Sequence, residues 1–365
     1  RCDPRDRDRR DVSVSAFAHP WLSGLLGDAE VAALFSAETQ LSHMLAFQRA
    51  LTDALEATGR LAPEDAAASR AALDGFVPDM GALARGTARD GVVVPALVAQ
   101  LRAGCPAPEA LHAGATSQDV IDTALACTLR DLSAVLAPRL GALEARLDAL
   151  EAAHGARPLM ARTRMQAARP VTVAHRLASW RRPLADLAAR LPAVTADAAR
   201  LQLGGPVGDR AAFGERADAV AAHMARTLGL AEPGHAWHAE RRAVVAHGDW
   251  LSHLAGHLGR IGQDVALMAQ QGIGTVALAG GGASSSMAHK RNPVQAETLQ
   301  ALARFAAAQA GGLHGALLHE QERSGAAWTL EWMLLPPLAA AAGAATRIAT
   351  DLLGEITQLG DPAQG

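Results

Sequence analysis

The sequence contains no tyrosine, so no phenol is available to any reaction it carries. Cysteine is nearly as scarce. Cys2, Cys105 and Cys127 are odd in number, scattered, and outside any paired metal-ligand spacing, which excludes a disulfide framework and fits a reducing cytoplasm. Half the residues are hydrophobic, yet no stretch of about 18 apolar residues is free of charge. A membrane span is therefore not expected. Residues Arg1 to Val12 form a charged run without the apolar centre of a secretory signal, and read as a disordered tail. A net charge of -3 supplies no basic field for a polyanion, so no nucleic-acid partner is expected either. The most pointed scarcity is lysine. Among 34 basic side chains there is one, Lys290, and the others are arginine. A compact ammonium kept at a single place marks a position where a planar guanidinium does not substitute for it.

What the chain has in abundance is helical periodicity. Leu41, Met44, Leu45, Leu51 and Leu55 share one face of a helix that starts after Ser36, an N-cap, and stops at Gly59. From Asp119 to His154, Leu125, Leu129, Leu132, Leu136, Leu140, Leu143, Leu147 and Leu150 recur at three- and four-residue steps, with a kink expected at Pro138. A second seam of Leu251, Leu254, Leu258, Ile261, Val265 and Met268 predicts a helix from Glu240 to Gln271. Narrow seams of this kind suit a bundle of long helices. Strand signals are nearly absent; the best, Val92 to Val94, is cut short by Pro95.

Three polar segments hold clustered functional side chains: His112 to Asp119, Met160 to Thr172 and Gly280 to Pro293. A helix from Asp119 to His154 is about 50 Å long at the usual rise per residue, so it holds the first two apart. If they serve one site, packing of two or more chains has to bring them together.

The third segment combines a glycine lead-in, the hydroxyls of Ser284, Ser285 and Ser286, and a cationic, amide-bearing end at Lys290 and Asn292. Pro293 suits the first turn of a following helix. Backbone amides, Lys290 and Asn292 can clamp a carboxylate and stabilise charge that develops on it, and that field makes a serine alkoxide accessible. Serine-hydrolase alternatives fail, because a Ser-x-x-Lys pair would need serine at Met287 and no Gly-x-Ser-x-Gly elbow exists. His253 and His257 have metal-ligand spacing but lack the glutamate of a zincin motif, and read as residues of a polar helix face.

Ser284, Ser285, Met287, Lys290 and Asn292 resemble the signature loop of the fumarase/aspartase superfamily, Gly-Ser-Ser-x-Met-Pro-x-Lys-x-Asn; Ala283 and Ala288 depart from it. His112, Gly114, Ala115, Thr116, Ser117, Gln118 and Asp119 resemble its first region, and Arg162, Thr163, Arg164, Met165, Gln166 and Ala168 its second. The resemblance implies an all-α, long-helix homotetramer with shared sites. It divides the chain into a tail at 1–12, an N-terminal helical domain at 13–110, a central bundle at 111–340, and a reduced C-terminal domain at 341–365. It implies Ser284 as the proton-abstracting base, with Ser285, Lys290 and Asn292 holding substrate beside Met287. Thr116 and Ser117 would bind a second carboxylate, Thr163 and Gln166 would face substrate, and His112 would be an acid/base or a structural partner. His238, Arg241, His319 and Glu320 are weaker candidates, expected behind the site or on helix faces. The resemblance implies a small di- or tricarboxylate substrate, and no metal or organic cofactor.

Arg164 is the informative departure, since lyases of this superfamily commonly have a histidine there. Arginine is no proton donor near neutral pH, but it pairs well with a carboxylate, which leaves without needing a proton. That points to members that add a carboxylate to, or expel it from, a carbon beta to another carboxylate. Similarity at Leu25 to Ala33, Trp237 and His238, and His319 to Trp332 favours the lactone-forming group. The rivals are an adenylosuccinate-type C–N lyase that releases fumarate and a non-catalytic helical scaffold.

Overall fold

The structure, a computed structural model, describes residues 14–362 apart from 284 and 288. The expected tail at 1–12, Cys2 and Ser284 lie outside the described residues. Long helices dominate, and among the described residues none is long and apolar enough to cross a membrane.

Helix α1 (Ala37–Ala57) begins where Ser36 accepts a hydrogen bond from the Thr39 amide, and Gly59 follows it at φ 71°. Helix α2 (Ser117–His154) carries the first leucine seam. All of that seam from Leu129 to Leu150 is buried and Leu125 is partly so. The helix continues through Pro138, which lies on the exposed side, where water can satisfy the carbonyl that has lost its donor. Strands β1 (Pro158–Thr163) and β2 (Gln166–Thr172) form an antiparallel hairpin, which leads into α3 (Val173–Ala198).

Helix α4 (Arg242–Met268) buries the whole second seam, and α5 (Val294–Leu313) and α6 (Gly325–Gly354) pack against it. Gly259 and Gly262 of α4 permit the close approach of α5: a Cβ at Gly259 would lie 2.4 Å from that of Ala303, and one at Gly262 2.6 Å from the Ala296 carbonyl oxygen. Between α4 and α5, β3 (Val276–Leu278) pairs with β4 (Ile356–Leu359), the strand after α6.

The apolar interior has two main parts. One runs through α2, α3, α4, α5 and α6; the other joins α1, the helices at Val94–Ala103 and Ala217–Leu228, and the first turns of α2 at Val120 and Ala124. Two expectations are corrected here. Val94 opens a helix, with Pro95 in its first turn, where a missing N–H costs nothing. The named strands among the described residues lie instead in the hairpin from Pro158 to Thr172, just before the signature loop at β3, and after α6 at β4.

Candidate active site

The first region sits at the amino end of α2. Thr116 caps the helix in a capping box: its amide donates to Asp119 Oδ2 at 3.0 Å, and its side chain accepts from the Asp119 backbone. Asp119 is fully buried and collects three more donors: the amides of Gly204 (2.8 Å) and Gly205 (2.9 Å) and His238 Nε2 (2.9 Å). The stretch that carries Thr116 and Ser117 is thereby fixed to the loop at Gly204. His112 adopts φ 61°, and Gln48 Nε2 lies 3.0 Å from its Nδ1. Burial pushes His112 down to about 4 against the opposing charge of Asp119, so the ring is neutral near pH 7.

One turn further along α2, Asp122 is fully buried and pairs with Arg241 Nη1 at 2.7 Å and Nη2 at 3.1 Å. Arg241 also donates to both oxygens of buried Glu331, at 2.7 and 2.6 Å, and lies over the Trp237 ring. Gln118 and the Trp328 indole donate to Asp122 at 3.0 Å each. Burial raises the Glu331 carboxyl above its ordinary range, against the pull of Arg241. His319 completes the group, with a side chain 1% exposed and Nε2 3.9 Å from Glu331 Oε1. Of the two placements expected for Arg241 and His238, behind the site or on helix faces, the helix face is corrected: both are buried in the segment just before α4, where Arg241 pairs with Asp122 and Glu331 and His238 Nε2 with Asp119. His257 is likewise held, its Nε2 2.8 Å from the Trp180 carbonyl.

The second and third regions lie beyond the other end of α2. Thr163 pairs with Gln166 in the hairpin register, so Arg164 and Met165 alone make the turn, at φ 48° and 70°. Thr163, Arg164 and Gln166 are all exposed. The signature loop is clasped at its root, where the Gly282 amide donates to the Asn292 carbonyl at 2.9 Å and the Asn292 amide returns a bond at 3.0 Å. A Cβ at Gly282 would lie 2.5 Å from Val294 Cγ2, so glycine is required for this clasp. Pro293 occupies the N-cap of α5 rather than its first turn, because its carbonyl already accepts from the Glu297 amide while its own ψ is 61°. Ser285, Met287 and Lys290 are exposed and Asn292 is half-buried.

Met287, Lys290 and Asn292 share an open cleft of about 940 Å³ with Met165 from the hairpin tip. Ser117 lines a different cleft, of about 660 Å³, beside Arg323 and Ser324 at the start of α6. At 38 residues, α2 is about 57 Å long. The chain thus gathers the second and third regions into one cleft and holds the first far from them. Sequence reasoning missed the Asp122–Arg241–Glu331 ion cluster and the anchoring role of Asp119. The spacing of Thr116 and Asp119 was a signal for the second; nothing local signals the first. Among the described residues no group of three or more His, Cys, Asp or Glu side chains could hold a metal ion.

Chemically, the Lys290 cleft offers one ammonium, the amide of Asn292 and a glycine-rich lead-in, a set whose chemistry suits a carboxylate and charge that develops next to it. The lyase family's sequence profile matches residues 31–307. A 3-carboxy-cis,cis-muconate cycloisomerase of Pseudomonas aeruginosa is 38% identical over 333 residues, 89% of this chain and 72% of that protein. A nitrosuccinate lyase of Streptomyces davaonensis is 36% identical over 362 residues, 92% of this chain and 74% of that protein. Among solved structures, the 3-carboxy-cis,cis-muconate lactonizing enzyme of Pseudomonas putida superimposes with a TM-score of 0.85 at 33% identity, covering 93% of this chain and 77% of that one.

Proposed function

The chain belongs to the fumarase/aspartase superfamily of lyases, and from that footing we propose that it is a cycloisomerase that converts 3-carboxy-cis,cis-muconate into 4-carboxymuconolactone, in protocatechuate degradation. What carries the reading is similarity to the cycloisomerases that extends over most of the chain rather than the signature loop alone. Arg164 agrees with it, since an intramolecular carboxylate nucleophile needs a cation and no proton donor.

In the ring-opening direction, Ser284 removes the proton alpha to a carboxylate held by Lys290 and Asn292. Charge moves onto that carboxylate, and the lactone C–O bond breaks to release a carboxylate facing Arg164. Lactone formation is the reverse: the carboxylate oxygen attacks the diene carbon and the proton returns from Ser284 to the alpha carbon. One C–O bond and one C–H bond form while a C=C π bond and the Ser284 O–H bond are lost; a solvent proton then restores Ser284, so the tricarboxylate takes up one proton overall and the two fully protonated acids are isomers. Ser285 adds a hydrogen bond to the held carboxylate, Met287 packs beside it, and Thr163 and Gln166 line the substrate next to Arg164. Thr116 and Ser117 hold another carboxylate, and neutral His112 stands beside them as a hydrogen-bonding group or base.

That division of labour requires a second chain, because α2 separates Ser117 from Lys290. A homotetramer with shared sites meets the requirement, and the exposed β1–β2 hairpin, which is marginal as an isolated pair, is suited to packing on a neighbour. Cys105 and Cys127 are free and buried, in keeping with a reducing cytoplasm.

A second reading has one observation in its favour, the similarity to a nitrosuccinate lyase. Nitrite also leaves as an anion, so Arg164 suits it too. Loss of diene absorbance from 3-carboxymuconate, with no nitrite from nitrosuccinate and no fumarate from adenylosuccinate, is the expected result. Nitrite or fumarate release with an unchanged diene overturns the cycloisomerase. Subunit exchange between Ser284→Ala and Ser117→Ala proteins should restore activity that neither has alone; an active monomer refutes the shared site.

A further inference from the structure

The turn at the tip of the hairpin is built from the wrong residues for its shape. A two-residue connection with positive φ at both positions is a type I′ turn, which ordinarily takes Asn-Gly or Gly-Gly. Here Arg164 and Met165 fill it, at φ 48° and 70°. Each side chain crowds its own backbone in that region, at a cost of about 1–2 kcal/mol. Arg164 has a use in the proposed reaction. Met165 has none so far, although strained positions of this kind concentrate at functional sites.

Its surroundings supply one. Met165 is 67% exposed, Met287 42% and Leu267 37%, and these three large apolar side chains line one cleft. Lys290, Arg291 and Arg304 line the same cleft. An apolar strip flanked by cations matches an anion of particular shape: a flat carbon skeleton that carries carboxylates at its ends. The thioether of methionine is polarisable and adapts to a planar π-system.

We propose that Met165 is a substrate-contacting residue that sets specificity, held over the Lys290 cleft by the strained turn so that it packs with Leu267 and Met287 on the conjugated chain of the substrate. The inference rests on the reading of the cleft as a polycarboxylate site and goes beyond it in assigning the contact to the carbon skeleton. It also explains why the turn keeps a side chain where glycine would be more stable.

Two variants of the full-length protein separate contact from structure. Met165→Gly relaxes the turn and removes the contact; Met165→Leu keeps the strain and most of the apolar surface. Three quantities are read: KM for 3-carboxymuconate, the dissociation constant of benzene-1,2,4-tricarboxylate (a flat, unreactive probe) by calorimetry, and the thermal midpoint. For Met165→Gly we expect KM and the probe dissociation constant to rise about tenfold, while the midpoint rises by about 1–3 °C. Met165→Leu should stay within about threefold of the parent in both constants. A merely structural role would lower affinity and stability together. Constants for Met165→Gly within twofold of the parent refute the contact, and a lowered midpoint refutes the strain. If the parent binds the probe but leaves 3-carboxymuconate unchanged, the cycloisomerase reading fails; Met165 is then judged on the probe alone.

Discussion

The two ends of α2 are built on opposite principles. At its amino end, charge is buried and saturated: Asp119 accepts from four groups, and Asp122 and Glu331 share Arg241 through four short contacts. Beyond its carboxyl end, the hairpin tip at Thr163 to Gln166 is exposed, as are Ser285, Met287 and Lys290 of the signature loop, whose glycine-rich lead-in is clasped to Asn292 at the root. The first arrangement holds atoms still without reacting, because a fully paired buried ion has no free valence to offer. The second leaves Lys290 exposed to solvent, as the proposed substrate binding and loop closure require. The contrast teaches that rigidity and reactivity are supplied from different places, and that substitutions at the two ends should fail in different ways.

Removing the proposed base is the severest test of the loop end. Ser284→Ala should lower turnover by about 10³- to 10⁴-fold and leave the unfolding midpoint within about 1 °C, because the change removes one hydroxyl oxygen and no apolar surface. A parallel loss of stability, followed by circular dichroism, would erase the distinction. At the rigid end the order is reversed. Arg241→Ala strands two buried carboxylates and should destabilise the fold by about 3–5 kcal/mol, seen as a shifted urea midpoint; normal stability would mean that the ion cluster is a passenger.

Gly282→Ala joins the two behaviours. Its Cβ would meet Val294 Cγ2 at 2.5 Å and force the clasp open. Displacement of Lys290 by about 1 Å should reduce kcat/KM by about 100-fold, with a smaller change in the midpoint; an unchanged rate would show that the clasp does not place the loop.

The smallest effect concerns pH. Burial holds His247 at about 4, below its ordinary 6.5, inside the bundle where Nε2 lies 3.1 Å from Ser133 Oγ. Between those values the unfolded chain binds a proton that the folded chain does not, so this contribution is absent above pH 6.5 and stability declines as pH falls toward 4. His247→Gln should flatten the decline by about 1.4 kcal/mol per pH unit, measured by urea titrations at pH 7, 6 and 5. An unaltered slope would assign acid sensitivity to other groups.

Much of this architecture was legible because bundle helices are specified locally. The leucine seams of α2 and α4 announce which face is buried, and Ser36 announces where α1 begins. The hairpin was not legible, since Arg164 and Met165 are poor turn formers and the alternation along Gln166–Thr172 is weak, β2 being mostly exposed. Val92 to Val94 misled for the converse reason: β-branched residues beside Pro95 look like a strand, and tertiary packing selects a helix start. The Arg241 cluster escaped because its bonds span 119 and 90 residues, beyond any local pattern. The signature loop was found through its composition, above all its lone lysine, while Ser284 itself lies outside the described residues.

That lone lysine has a practical consequence. Lys290 is exposed at the mouth of an open cleft, and no other side chain in the sequence is a primary amine. An amine-directed acylating reagent therefore has one internal target, without mutagenesis. Labelling should abolish turnover, a tricarboxylate should shield the site from the reagent, and a dye attached there would test the proposed loop closure from a single, chemically defined position.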